Sequence, residues 1–98
     1  MSTPRARIFG LGTYVPARTV TNHDLSEVME TSHEWIVERS GIEARHWVEP
    51  EDGNYTMGVK AARAALADAG MEASEIDCII YATLSPDYFF PGCGVLVQ

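Results

Sequence analysis

Ser74-Glu75-Ile76-Asp77-Cys78-Ile79-Ile80-Tyr81-Ala82 carries the strongest signal of fold class in the chain. After two polar residues the run is almost continuously apolar. It lacks the in/out alternation of a strand with one wet face, so it is expected to be a central strand of a largely parallel sheet, covered on both faces. The preceding segment supplies a covering layer. From Tyr55 to Ala69, a spacing of 100° per residue puts Gly58, Val59, Ala62, Ala65, Leu66 and Ala69 on one arc, with Lys60, Arg63, Ala64, Ala67 and Asp68 off it. This is an amphipathic helix stopped by Gly70. Its inner arc of small side chains lets the backbone lie close on a sheet, and the alternation of such units is α/β.

Upstream, Ala6-Arg7-Ile8-Phe9-Gly10-Leu11-Gly12-Thr13-Tyr14-Val15 reads as a first strand that turns at Pro16. Thr21 or Asn22 caps a short helix over Asp24–Met29, whose early acidic residues suit the helix dipole. Thr31 or Ser32 caps a second, which carries Glu34 in its first turn and Arg39 in its last and stops at Gly41. Downstream, 84–92 is a Pro- and aromatic-rich loop, and Cys93-Gly94-Val95-Leu96-Val97-Gln98 opens another apolar element without a stop signal. A doubly covered strand needs several neighbours, and two expected strands are too few. The 98 residues are therefore expected to be a truncated piece of a larger layered architecture.

Composition narrows the function classes. With 46% hydrophobic and 21% charged residues the chain has ordinary globular makeup. No apolar stretch reaches the ~20 residues of a membrane span, and Met1-Ser2-Thr3-Pro4-Arg5 lacks the apolar core expected of a signal peptide. Two cysteines make no disulfide framework, so a reducing cytoplasmic setting is expected. A net charge of −7 repels polyanions and argues against nucleic acid as a partner.

Few residue patterns carry chemistry. Gly10-Leu11-Gly12 invites a dinucleotide reading, but the third glycine would fall at Val15 and Pro16 stands where a helix should start; a strand-end turn is the better reading. Cys78, among isoleucines, reads as a small buried hydrophobe. Cys93 is better placed for reactivity, at the start of a possible helix after Pro91-Gly92, yet no His follows it. His23, His33 and His46 have no metal-ligand spacing, and Glu49-Pro50-Glu51-Asp52 reads as a solvated loop, so no metal is expected. Trp35 and Arg39, four apart on one helix face, make a platform for a heteroaromatic ring bearing phosphates. The same spacing also fits an intrahelical cation–π pair or a Trp anchored in the core, and periodicity leaves these open.

The motifs together resemble the β-ketoacyl-acyl-carrier-protein synthase III family of the thiolase superfamily. The resemblance rests on Gly10-Leu11-Gly12-Thr13-Tyr14-Val15-Pro16, Thr21-Asn22-His23-Asp24-Leu25, and above all Thr31-Ser32-His33-Glu34-Trp35-Ile36-Val37-Glu38-Arg39-Ser40-Gly41-Ile42 followed by Arg45. Thr56-Met57-Gly58, Asp68-Ala69-Gly70, Ile76-Asp77, Ala82-Thr83-Leu84-Ser85-Pro86 and Phe90-Pro91 continue it without an evident gap.

What this resemblance implies is the N-terminal part of an α/β/α/β/α enzyme that condenses an acyl-CoA starter with a malonyl thioester, its partner being acyl carrier protein or another malonyl thioester. Trp35 would stack on the CoA adenine, Arg39 would meet its phosphates, and Thr31 would bond the adenine edge. Phe90 would sit at a homodimer interface, lining the partner's acyl pocket. The nucleophilic Cys and the His and Asn of the decarboxylation site would lie beyond Gln98, leaving no catalytic residue in 1–98 and no role for Cys93; acyl-CoA enters as substrate and no cofactor is implied. His33 stands where the family usually has Asp, and Gly92-Cys93-Gly94 replaces a small Ser/Thr-Ala run, which points to a remodelled pocket. The alternatives are a specialised relative making polyketide, alkylquinolone or long-chain ketone precursors, and a non-catalytic CoA-binding or dimerisation module.

Overall fold

The computed structural model describes residue 3 and residues 5–98; Met1, Ser2 and Pro4 of the polar leader lie outside the described residues. The chain divides into two compact units, one of Val15–Asp52 and one joining the segment up to Tyr14 to Gly53–Gln98.

In the first unit, β1 (Arg18–Thr21) pairs antiparallel with β2 (Ala44–Trp47), Val20 opposite Arg45 and Arg18 opposite Trp47. β-Branched Val20 faces inward and is 4% exposed. Thr21 ends β1 and caps α1 (Asn22–Ser26): its hydroxyl accepts from Asp24 N at 3.2 Å, and Asp24 Oδ2 accepts from Thr21 N at 2.8 Å. The Thr21 backbone N–H first, and then its hydroxyl, hold the Asp24 carboxyl below its ordinary value of 3.8. The helix starts earlier and ends sooner than the expected Asp24–Met29. Ser32 is the cap of α2 (His33–Ser40), accepting from Trp35 N at 3.2 Å, and Gly41 closes it at φ 72° with its N–H on Val37 O. Both ends of α2 therefore match their sequence signals.

In the second unit, α3 (Asn54–Ala69) ends at Gly70 in the left-handed region. Every residue of its expected inner arc is more covered than the charged outer face, although none is fully buried. The Ala-rich stripe receives Gly10 and Gly12. A Cβ at Gly10 would stand 2.6 Å from Ala65 O, and one at Gly12 would overlap the backbone of Ala61 and Ala65. Close approach to a helix, not phosphate binding, explains these two glycines. Asp68 Oδ2 accepts from Leu11 N at 3.0 Å and ties the same segment down. A 3₁₀ turn (Ala73–Glu75) and α4 (Cys93–Val97) complete the unit.

Neither expected strand forms. Among the described residues, 6–15 and 76–82 carry no ladder, and Ile80 is 92% exposed. A strand exists only through its pairing, and within the described residues these two apolar segments have no strand beside them. The sheet that does form, β1–β2, comes from two polar four-residue segments that lack a strand pattern. No helix among the described residues is long and apolar enough to cross a membrane.

Candidate functional site

α2 presents Trp35 to solvent, 54% exposed, with Arg39 Cζ 4.6 Å from its ring centroid. This exposure removes the core-anchor reading of Trp35; one indole face is taken by the guanidinium as a cation–π pair. The Ser32 cap fixes the start of the helix at Trp35 N, so capping and platform share a residue. Thr31 lies immediately before that cap. Glu30, Thr31, Ser32 and Trp35 line a shallow depression of about 200 Å³. Three residues singled out from sequence, Thr31, Trp35 and Arg39, thus stand around one exposed face.

Two features at this end of the unit have no clear sequence signal. His23 and His33 stack with ring centroids 5.3 Å apart and planes 8° apart. Behind them Asn22, a candidate cap in the sequence, is instead fully buried and bonded to Arg45 and Ile42. His46 is separate, with Nδ1 2.7 Å from Pro16 O. Among the described residues no group of three His, Cys, Asp or Glu side chains could hold a metal ion.

The loop bearing Phe90 is anchored to α3 through long-range bonds. Asp87 Oδ1 accepts from Asn54 N at 2.9 Å and Oδ2 from Tyr55 N at 2.8 Å, so a carboxylate far along the chain satisfies the first amides of α3. Those backbone bonds hold the Asp87 carboxyl below its ordinary 3.8. Asn54 Nδ2 donates to Thr83 Oγ1 and Ser85 O, both at 2.9 Å. The Tyr81 hydroxyl donates to Asn54 O at 2.8 Å and also contacts its side-chain oxygen. Burial first, then Cys93 and Asp87, push that hydroxyl above 10.0. Phe90 is 93% exposed and precedes a cis bond to Pro91.

The cysteines exchange their expected places. Cys78, read as buried, is exposed; Cys93, read as the better-placed thiol, is buried. Cys93 Sγ accepts from Asp87 N at 3.4 Å and lies 3.9 Å from Asp87 Oδ2. An enclosed thiol facing a carboxylate lacks the electropositive, open setting of a nucleophile. The same unit has an open apolar cavity of about 1370 Å³, lined by residues including Phe9, Val59, Leu66, Ile79 and Phe89.

No family model matches the sequence. Individual proteins do. The chain is 46% identical over 95 residues to the β-ketoacyl-[acyl-carrier-protein] synthase III of Solibacter usitatus, a match over 97% of this chain and 29% of that protein. Its fold matches the crystal structure of 3-oxoacyl-[acyl-carrier-protein] synthase III from Aquifex aeolicus with a TM-score of 0.88 at 41% identity, over 92% of this chain and 29% of that one. It is similarly matched by the priming β-ketosynthase of the R1128 polyketide biosynthetic pathway, with a TM-score of 0.90 at 35% identity, over 93% of this chain and 27% of that one. The chain spans less than a third of the length of these relatives. The resemblance carried by the motifs is matched in both sequence and fold.

Proposed function

We infer that this chain belongs to the β-ketoacyl-acyl-carrier-protein synthase III family and is the part of such an enzyme that receives acyl-CoA. The reaction is a decarboxylative Claisen condensation. An acyl group passes from CoA to a cysteine thiolate, releasing CoA; a malonyl thioester on acyl carrier protein loses CO₂ to give a carbanion; the carbanion attacks the acyl-cysteine carbonyl and releases a β-ketoacyl product. The three groups that perform this chemistry, a Cys, a His and an Asn, belong to positions after Gln98 by the family's pattern. Acyl-CoA is a substrate here, no cofactor takes part, and the setting is cytoplasmic.

The observation that carries the reading is the exposed Trp35–Arg39 pair with Thr31 at its edge. An indole face free on one side takes the adenine by stacking, Thr31 takes the adenine edge, and Arg39 meets the phosphates. Phe90, exposed on an anchored loop, lines the acyl pocket of the second subunit of a homodimer. In the full-length protein, Trp35→Ala is expected to raise KM for the starter about tenfold, corresponding to about 1.4 kcal/mol, with the melting temperature nearly unchanged. A large stability loss at constant KM would return Trp35 to a structural role.

A second reading has its own support. Similarity to a priming ketosynthase of a polyketide pathway, together with Gly92-Cys93-Gly94 beside Phe90, favours a starter other than the short acyl group of primary fatty-acid synthesis. Assaying the full-length protein with a series of acyl-CoA starters and malonyl carrier protein separates the two. A chain that binds CoA but releases no CO₂ from malonyl carrier protein is a binding module instead.

A further inference from the structure

Asn22 is 0% exposed, the most deeply buried side chain of its unit, and it is polar. Enclosing an amide without partners costs about 1–3 kcal/mol, so its contacts carry information. Its backbone N–H donates to Glu43 O at 3.2 Å. Arg45 Nη2 donates to its side-chain oxygen at 2.7 Å, and its Nδ2 donates to Ile42 O at 2.8 Å. The same Nδ2 lies 3.1 Å from His33 Nδ1.

Chemistry fixes the orientation of this amide. A guanidinium only donates and a backbone carbonyl only accepts, so the oxygen must face Arg45 and the NH₂ must face Ile42. One amide hydrogen goes to Ile42 O. The other points at His33 Nδ1, which must offer a lone pair, and His33 is therefore the tautomer protonated at Nε2. His33 is the first residue of α2, and Ile42 follows its closing glycine. One buried amide thus holds the helix at its entry and its exit. Arg45, whose Nη1 also donates to Val20 O at 3.2 Å, fastens that amide to the β1–β2 ribbon.

Trp35 and Arg39 stand on α2 between these two attachments. We propose that Asn22, acting through the Nε2–H tautomer of His33, is a positioning residue that sets where Trp35 and Arg39 meet the CoA nucleotide. The proposal rests on the CoA reading of those two residues. Its physical reason is that stacking and guanidinium–phosphate contacts are short-ranged, and a displacement of about 1 Å can cost up to a hundredfold.

The test uses the full-length protein with coenzyme A and acetyl-CoA as probes, measured by titration calorimetry beside thermal melting and steady-state kinetics. His33→Gln keeps an oxygen able to accept the Asn22 N–H and is expected to hold the dissociation constant within about twofold. His33→Leu fills similar space without an acceptor and is expected to raise it about tenfold, with kcat at saturating acetyl-CoA nearly unchanged. Asn22→Ala is expected to weaken binding at least as much. In ¹⁵N spectra, His33 Nδ1 is expected at the unprotonated position in the wild type, with the two tautomers mixing in Asn22→Ala.

Trp35→Ala separates the possible failures. If it leaves CoA affinity unchanged, the CoA reading falls and the positioning role with it. If it weakens binding while His33→Leu binds CoA like the wild type, or if His33 carries its proton on Nδ1, the positioning role alone is overturned. That role is equally overturned if His33→Leu lowers the melting temperature but leaves KM unaltered.

Discussion

Asp87 is an exposed carboxylate that accepts two backbone N–H bonds at the start of α3, from Asn54 and Tyr55, and these bonds lower its pKa. A group whose folded pKa lies below its unfolded value contributes stability above the unfolded value and loses that contribution as pH falls through the folded one. The expected outcome for Asp87→Asn in the full-length protein is therefore a melting temperature below the wild type by a constant margin from about pH 5 upward, where the carboxylate is ionised in both states. The margin shrinks as pH drops below 3.8. A margin that stays constant into acid would show that the charge of Asp87 does not matter. Because the same residue bonds to Cys93, the substitution should leave Cys93 as unreactive to a thiol probe as before, since the thiol is also enclosed.

At the scale of elements, α2 is eight residues long with no fully buried side chain, and helices this short are marginal without help at their ends. Ser32 supplies the N-terminal acceptor and Gly41 the left-handed closing residue. Ser32→Ala is expected to cost about 1 kcal/mol, and Gly41→Ala about 1–2 kcal/mol from backbone strain alone, because nothing lies within 4 Å of a Cβ there. Both should raise KM for acyl-CoA beyond their effect on melting, since fraying at Ser32 releases the residues that carry the stacking face. Denaturant titration beside kinetics checks this; equal losses of stability with unaltered KM would detach the platform from its helix ends. α3 is different. Its length and glycine stop follow from its own sequence, whereas its first amides depend on a carboxylate from the distant 84–92 loop.

At the scale of the whole molecule, the exposed Phe89 and Phe90 and the open apolar cavity are among the features that call for a covering surface. Soluble proteins seldom present consecutive large apolar groups to water, and burial at a subunit interface is what Phe90 offers the proposed homodimer. An aromatic ring fills space that several methylenes would otherwise occupy. Phe90→Ala in the full-length protein is thus expected to shift kcat/KM toward longer acyl-CoA starters, each added methylene worth about 0.8 kcal/mol. Dimerisation should weaken only modestly, because one side chain is a small part of a large interface. An unchanged chain-length profile, or monomer formation with uniform loss of activity, would assign Phe90 to structure alone.

α2 and α3 were legible from local pattern nearly to the residue, with Gly41 and Gly70 as their stops and Ser32 one of two cap candidates, because caps and helical faces depend on neighbours three or four positions away. The sequence also carried the Trp35–Arg39 pairing and the family resemblance, since these lie within one continuous motif. The β1–β2 ribbon, the capping of α3 by Asp87, the burial of Asn22 and the exchanged exposures of Cys78 and Cys93 arose from long-range contacts instead. Each depends on segments far apart in the chain. Thr21 pairs with Ala44 and Asp87 reaches Tyr55, contacts that leave no periodicity in the sequence. The apolar run at 76–82 shows the same limit from the other side: its residues suit a strand, but a strand requires a neighbour, and local propensity cannot supply one.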